Sequence, residues 1–299
     1  MKKKCRLSLM LCSGVTGFTG SETTDQCSST ACCNAYKEIK VDWKTSQSSD
    51  FSGEHSSERA VDGSNNQCSH TKVTFGNWWT IDLRGVYNIS CVSIFNTNTN
   101  SNENENISGA QIYIGNSREK NGTANPLCQN ITNFTRSKPN NFSCPANVSG
   151  RYVTVFFPQD KPLILCEVKI FGEIKESPFK LIKENKTWAD ALYYCRDRYE
   201  TLASIVDEET QTWAELEAEN SSTPFVWVGL RYTCTLDFWF WVEDQPVKFT
   251  RWGPESKKEE CNMSGAIEKQ GNQSWSTEWA DNNYNFICKK FVPPPSVSL

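Results

Sequence analysis

The chain of 299 residues is long enough for two domains of ordinary size, and its 37% hydrophobic content can supply a buried core for each. The formal net charge of −4 argues against nucleic acid and anionic lipid as partners, and 14 cysteines are typical of a secreted protein. Beyond the N-terminal segment no stretch reaches the roughly 20 apolar residues that a membrane-spanning helix needs, so no membrane span is predicted.

Residues 1–20 are predicted to be a signal peptide. Three lysines follow Met1, an apolar segment covers residues 7–15, and small residues come next. This order is typical of secretory leaders. Asn-x-Ser/Thr tripeptides, which are potential glycosylation acceptors, also favour an extracellular surface. They begin at Asn88, Asn106, Asn121, Asn130, Asn133, Asn141, Asn147, Asn185, Asn220, Asn262 and Asn272.

Residues 21–38 show no hydrophobic periodicity and are predicted to be a linker. They contain Cys27, Cys32 and Cys33. No histidine and no Cys-x-x-Cys spacing lies near them, which argues against a zinc site. The partners of these cysteines and of Cys91 stay open, and disulfides between chains are one alternative.

Residues 39–174 are predicted to form an all-β domain. Short apolar runs recur between polar turns, and several of them alternate with a period of two. They cover residues 78–83, 92–95, 111–114, 152–157 and 168–171. No long helical period interrupts them, so the pattern favours a β-sandwich.

Seven short motifs follow one another in this region. They cover residues 46–49, 60–63, 68–71, 78–83, 109–112, 150–153 and 165–168. In this order they resemble the F-type lectin, or fucolectin, domain. The resemblance implies a jelly-roll β-sandwich that binds fucose and carries a structural calcium ion.

The same resemblance implies two disulfides, which join Cys68 to Cys166 and Cys128 to Cys144. The first would bring Asp62 near Glu167, and hard oxygen ligands gathered in this way suit calcium. Most of the implied ligands act through backbone carbonyls. The implied set is Arg59, Asp62, Ser64, Gln67, Cys166 and Glu167.

His70 matches the histidine with which the F-type family binds fucose. The family adds two arginines from a later loop, whose forks donate charge-assisted hydrogen bonds to adjacent hydroxyls. The corresponding loop here, residues 96–106, contains no arginine, aspartate or cysteine. Because a hydrogen bond to a charged partner contributes roughly 1.5–3 kcal/mol, we expect fucose binding to be weak or lost and this loop to be solvated. The alternative is that it serves another sugar through Asn98, Asn100, Glu103 and Glu105.

Residues 178–291 are predicted to form a second, α+β domain. Thr187 can cap a helix over residues 187–195, and a second helix with an acidic first turn fits residues 207–219. An aromatic region begins at residues 226–230 and closes at residues 286–288. Mainly β structure with some α+β is therefore expected for the whole chain.

The second region resembles a C-type lectin-like domain. Its marks are Trp-x-Gly-Leu at residues 227–230, Glu260-Cys261, Trp279-Ala280-Asp281, and Cys195 with Cys288 at its ends. The resemblance implies a disulfide between Cys195 and Cys288. We expect its tryptophans to form a core rather than a ligand platform. They are Trp227, Trp239, Trp241, Trp252, Trp275 and Trp279.

The calcium-dependent sugar site of the C-type family is expected to be missing. It requires Glu-Pro-Asn or Gln-Pro-Asp, absent between Trp252 and Cys261, and Trp-Asn-Asp, which has Ala280 in the middle here. Glu260 and Asp281 alone are too few ligands for tight calcium binding, so no mannose-type activity is expected. Cys261 lacks its usual partner, and Cys234 is the alternative. Residues 292–299 are a Pro-rich tail.

The sequence predicts a binding protein and no enzyme. It has two histidines and no nucleophile elbow, phosphate loop or zinc spacing. The first hypothesis is a secreted, extracellular lectin of innate glycan recognition that binds fucosylated or other glycans. The second is a sugar-independent adhesion or protein-interaction protein that binds glycoproteins on lectin scaffolds. The oligomeric state stays open, a homo-oligomer included.

Overall fold

The computed structural model describes residues 33, 35–40, 44–97, 105–271 and 273–291. The predicted signal peptide and tail lie outside these residues, as do Cys27, Cys32, Asn98, Asn100, Glu103 and Asn272. Contacts divide the chain between Lys175 and Glu176, and each unit is described by itself. Within the described ranges no helix has the length and hydropathy needed to cross a membrane.

The first unit is a β-sandwich, as predicted. Its strands are β1 (Lys44–Gln47), β2 (Ser69–His70), β3 (Phe75–Phe95), β4 (Gln111–Gly115), β5 (Leu127–Asn130), β6 (Asn140–Ser143), β7 (Ser149–Asp160), β8 (Ile164–Leu165) and β9 (Glu167–Ile174). Short 3-10 helices cover Ser57–Ala60 and Glu119–Gly122. The main strand order is β1-β3-β7-β4-β5, with β6 and β9 also paired to β3.

Strand β3 joins the two layers of the sandwich because it changes partners along its length. Its first half pairs with β1 and β7, and its second half pairs with β6 and β9. The change follows Arg84, whose positive φ of 56° turns the strand. Before this turn, Trp79, Ile81 and Leu83 alternate with more exposed residues and are fully buried. The alternation fills the space between the layers with one face of the strand.

Part of the predicted linker belongs to the sandwich. Glu38 forms an isolated β-bridge with Phe171, and the backbone N–H of Gly172 donates to the carbonyl of Lys37 at 3.1 Å. Cys33 forms a disulfide with Cys91 of β3. The linker prediction was therefore wrong for this segment, because pairing along the edge of β9 needs backbone groups and little hydrophobic periodicity.

The second unit is α+β, as predicted. Its elements are β10 (Phe179–Lys186), α1 (Trp188–Arg198), β11 (Thr201–Leu202), α2 (Glu208–Ala218), β12 (Phe225–Thr233), β13 (Phe238–Trp241), β14 (Met263–Glu268), β15 (Trp275–Trp279) and β16 (Tyr284–Lys289). The sheet order is β10-β16-β12-β14-β15. The Thr187 side chain caps α1, and an Asp207–Thr210 capping box starts α2.

Most of the tryptophans of this unit form its core. Trp227, Trp241 and Trp275 are fully buried and Trp239 is nearly so. Trp279 is 49% exposed, so the core prediction was wrong for it, since it ends an edge strand. The structure pairs Cys195 with Cys288 and Cys234 with Cys261.

Candidate functional site

A two-stranded ladder at the rim of the sandwich gathers the predicted site residues of the first unit. Ser69 and His70 of β2 pair with Leu165 and Ile164 of β8. A disulfide between Cys68 and Cys166 lies directly beside this ladder. The segment before His70 is thereby held against the segment that contains Glu167. The other implied disulfide, between Cys128 and Cys144, is also present.

A polar cleft of about 530 Å³ opens at this rim. Both histidines of the chain face it, together with charged, amide and small side chains. Its lining residues are Glu54, His55, Arg59, Asn66, Gln67, Cys68, His70, Thr97, Glu105 and Ile164. Such a mixture of donors and acceptors can bind a small polar ligand.

The His70 ring is held by two other rings. It stacks on Phe51, with ring centroids 4.6 Å apart and an angle of 12°, and it meets the edge of His55 at 5.4 Å. His55 is fixed in turn, because its Nδ1 lies 2.7 Å from the Ser52 hydroxyl. The backbone N–H of His70 donates to the carbonyl of His55 at 3.2 Å. The imidazole therefore has a defined plane before any ligand arrives.

His70 is neutral at neutral pH. Burial lowers its pKa below the ordinary 6.5, and the neighbouring His55 lowers it further. A neutral imidazole offers one N–H donor and one acceptor nitrogen. His70 can therefore exchange hydrogen bonds with a hydroxyl group in either direction.

Arg59 brings a guanidinium to the same cleft. No arginine was expected beside His70, because the family places its arginines in the loop that corresponds to residues 96–106, and the resemblance implies only a backbone role for Arg59. The side chain instead lines the cleft. Its Nη1 donates to Oε1 of Gln67 and lies 3.6 Å from the Asp62 carboxylate. The signal available in the sequence was the position of Arg59, in the turn that leads to Asp62.

The two ends of the loop at residues 96–106 are structural. Asn96 is fully buried, and its amide donates to the carbonyls of Glu105 at 2.9 Å and Ile164 at 2.8 Å. Its Oδ1 accepts from the Cys166 N–H at 3.1 Å. Glu105 is also buried. The prediction of a solvated loop was wrong for both ends, and residues 98–104 lie outside the described ranges.

The carboxylates of Asp62 and Glu167 form the acidic pair beside the cleft. Glu167 is buried, and burial raises the pKa of its carboxyl, with a further contribution from the negative charge of Asp62. Its Oε2 accepts the N–H of Gly63 at 3.2 Å. Two close carboxylates of which one is buried fit a hard divalent cation, which would relieve their repulsion.

The remaining calcium ligands would have to be backbone oxygens. Within the described ranges, no three His, Cys, Asp or Glu side chains come together as a metal cluster. A calcium site here would combine the Asp62 and Glu167 carboxylates with carbonyls at Arg59, Ser64, Gln67 and Cys166. Calcium accepts such mixed oxygen sets.

The corresponding rim of the second unit is occupied by its own side chains. Asp281 accepts a hydrogen bond from the Asn262 amide at 2.8 Å. Asn262 accepts in turn from Arg231 at 3.0 Å, and the same guanidinium donates to Ser264 at 2.7 Å. Arg231 also lies over the Trp188 ring at 5.0 Å. The residues present do not fit calcium, because Asp281 is hydrogen-bonded to Asn262 with the charge of Arg231 nearby, and too few further carboxylates are present.

Comparison with known proteins decides the family of the first unit. Fucolectin from Anguilla anguilla is 35% identical over 142 residues, a match that covers 44% of this chain and 89% of that protein. The chain belongs to the fucolectin family. Fucolectin-1 from Anguilla japonica is 44% identical over 112 residues, or 38% of this chain, and the chain spans only 62% of its length.

Two family models match the chain in succession. The model described as NedA-like, galactose-binding domain matches residues 59–155, and the C-type lectin model matches residues 184–290. The fucolectin domain is thus followed by a C-type lectin domain, which confirms both resemblances. A crystal structure of an F-lectin from striped bass (Morone saxatilis) serum shares 31% identity, covers 47% of this chain and 48% of its own, and has a TM-score of 0.43.

Proposed function

We propose that this chain is a secreted lectin whose fucolectin domain binds a glycan in the cleft beside His70. The observation that carries the proposal is the fixed, neutral imidazole in a polar cleft of a fucolectin-family domain. The names of the relatives point to fucose as the sugar to test first. Five disulfides among the described residues support an oxidising, extracellular environment.

The chemistry of the cleft suits hydroxyl groups. A sugar hydroxyl both donates and accepts, and the cleft offers carboxylate acceptors, amide groups and the imidazole of His70. The relatives of the first unit are named as lectins. Binding without catalysis is therefore the proposed activity.

Calcium is proposed as a structural ion of the fucolectin domain. It would be held by Asp62 and Glu167 with carbonyl oxygens from Arg59, Ser64, Gln67 and Cys166, and it would neutralise the acidic pair. Arg59 and Gln67 also line the cleft. Their backbones would then be fixed by the ion while their side chains face the ligand.

The C-type lectin domain is proposed as a protein-interaction module, and glycoproteins are its expected partners. The observation that favours this role is the engagement of Asp281 by Asn262 beside Arg231. Recognition of foreign glycans in innate defence would then depend on the fucolectin domain. Assembly of several copies would raise the avidity of weak single sites, so a homo-oligomer is part of the proposal.

A glycan array with the full chain in calcium tests the proposed function. We expect the wild type to bind fucosylated glycans. The His70→Ala variant should lose at least about tenfold in affinity, since one good hydrogen bond to a sugar contributes about 1.5 kcal/mol. Lys72→Ala, which changes an exposed residue next to the ladder, should lose none. A wild-type chain that binds no glycan would favour the sugar-independent hypothesis for the whole protein.

A further inference from the structure

We propose that the Arg59 side chain is the specificity-determining contact of the cleft, and that it selects uncharged saccharides with two adjacent hydroxyls. This inference rests on the proposed function, because it assigns the ligand class of the same cleft. It concerns the Arg59 guanidinium, whereas the proposed calcium site uses only the backbone carbonyl of this residue.

The geometry leaves one edge of the guanidinium for a ligand. Arg59 lies in the 3-10 helix Ser57–Ala60, and its side chain is 39% exposed. Within the described part of the chain, both of its side-chain contacts, to Gln67 and to Asp62, are made by Nη1. The Nε–H and Nη2 groups form the other edge. Two parallel donors of this kind match a pair of adjacent oxygen atoms.

The two contacts that Arg59 makes are compatible with a binding role. The Asp62 carboxylate lies 3.6 Å away and the pair is partly exposed, so solvent screens much of its attraction. Gln67 is itself exposed at the cleft. These contacts orient the guanidinium without burying it, which limits the loss of side-chain freedom when a sugar binds.

The charges around the cleft disfavour an anionic sugar. Glu54 and Glu105 line it, and Glu105 has its counter-charge in Arg136 at 3.6 Å. Arg59 is the only arginine among the lining residues, and it already faces Asp62. His70 adds no positive charge when it is neutral. A carboxylate or sulfate on the ligand would therefore be repelled by the exposed Glu54 carboxylate, whereas hydroxyls would meet acceptors and a fork of donors.

The test compares Arg59→Met, which keeps most of the side-chain length, with Arg59→Lys and with Arg196→Met, an exposed arginine of the C-type lectin domain. The full chain is titrated with neutral fucosylated glycans and with their sialylated counterparts. The calcium-induced rise in melting temperature is measured for each variant. We expect Arg59→Met to lose at least about tenfold in affinity for the neutral glycans, Arg59→Lys to lose less, and Arg196→Met to lose nothing.

The calcium response separates a contact from a structural role. Because every residue has a backbone carbonyl, the rise in melting temperature should be the same in the wild type and in Arg59→Met. A variant that loses both binding and the calcium response would overturn the contact, since it would show that Arg59 acts through the loop of Asp62. Equal glycan affinities of the wild type and Arg59→Met would also overturn the proposed contact, while the proposed function would stand.

A second variant tests the choice of uncharged ligands. Glu54→Gln removes one negative charge at an exposed position of the cleft. We expect it to raise the affinity for sialylated glycans relative to the neutral ones, and we expect the wild type to prefer the neutral ones. A wild type that prefers sialylated glycans would contradict the inference. If the wild type bound none of the glycans, both this inference and the proposed function would fall.

Discussion

In the fucolectin domain, Asp62 and Glu167 lie close enough for the charge of one to raise the pKa of the other. In the C-type lectin domain, Asp281 accepts a hydrogen bond from Asn262, which accepts in turn from Arg231. The Asp62–Glu167 pair and Asp281 each lie where the family resemblances predict calcium ligands. In the first domain Arg59 lies 3.6 Å from Asp62, but the buried Glu167 adds a second negative charge. In the second domain Arg231 lies near enough to Asp281 for that carboxylate to raise its pKa.

The two sites differ in the charged side chains that surround their carboxylates. Lys169 lowers the pKa of Glu167, but burial and Asp62 raise it, and burial is the largest cause. Arg231 sits half-buried between Ser264 and Asn262, where burial lowers its pKa and Asp281 raises it. The first arrangement places two carboxylates beside the Arg59 guanidinium and gains from an added cation, whereas in the second Arg231 faces the Asp281 carboxylate. The two domains should therefore respond differently to calcium and to substitution.

The largest expected effect is on removal of calcium from the fucolectin domain. A ligand at a hundredfold excess over its Kd stabilises the folded state by about 2.7 kcal/mol. We expect a chelator to lower the melting temperature of the fucolectin domain and to leave that of the C-type lectin domain unchanged. Calorimetry would resolve the two transitions, and tryptophan fluorescence would follow mainly the second, because most of the 11 tryptophans lie there.

Glu167→Gln provides the matched variant. It removes one negative charge of the acidic pair, so the calcium response should disappear. Without calcium the variant should be at least as stable as the wild type, because the repulsion with Asp62 is gone. An unchanged response to calcium in this variant would mean that the ion binds elsewhere.

The next effect is expected in the C-type lectin domain on Arg231→Met. The substitution removes the hydrogen bonds to Ser264 and Asn262 and the contact with the Trp188 ring, and it leaves the buried Ser264 without this donor. We expect a loss of about 2 kcal/mol in the free energy of unfolding of this domain. Calorimetry should show the second transition at a lower temperature and the first unchanged.

Added calcium should not restore this loss, because Glu260 and Asp281 offer too few ligands. Arg196→Met is the control, since it makes the same change at an exposed position and should cost little. A calcium-dependent recovery of Arg231→Met would break the comparison, as it would show that the arginine only masks a working metal site.

The sequence predicted the features that repeat or that involve hydrophobic burial. The alternation of Trp79, Ile81 and Leu83 indicated the β character of the first domain, and the cap at Thr187 and the acidic turn after Asp207 marked the two helices of the second. These signals are local, because each depends on residues a few positions apart. They were sufficient for the fold class of both domains.

The features that were missed depend on contacts between distant segments. The disulfide from Cys33 to Cys91 and the hydrogen bond from Gly172 to Lys37 follow from backbone position and leave no periodic signal. The cleft that Arg59 lines lies beside the ladder of β2 and β8, and that pairing joins residues far apart in the chain. Family motifs located His70, but they did not reveal that another arginine lies in the same cleft.

The smallest expected effect is a dependence of glycan binding on pH. Because burial and His55 lower the pKa of His70 below 6.5, the folded domain resists a proton that the unfolded chain accepts. The stability contribution is therefore complete above about pH 6.5 and is lost as the pH falls towards the pKa of the folded state. Since the ring is only half-buried, this change in stability should be small.

Glycan affinity measured from neutral pH to about pH 5 should fall as His70 becomes protonated. A protonated ring loses its acceptor nitrogen, and burial and the neighbouring His55 disfavour its charge. His70→Gln should bind more weakly and show little dependence on pH in this range. If the variant keeps the full dependence on pH, His70 is not the group responsible for it. The neutral imidazole would then not be what distinguishes this cleft from the rim of the C-type lectin domain.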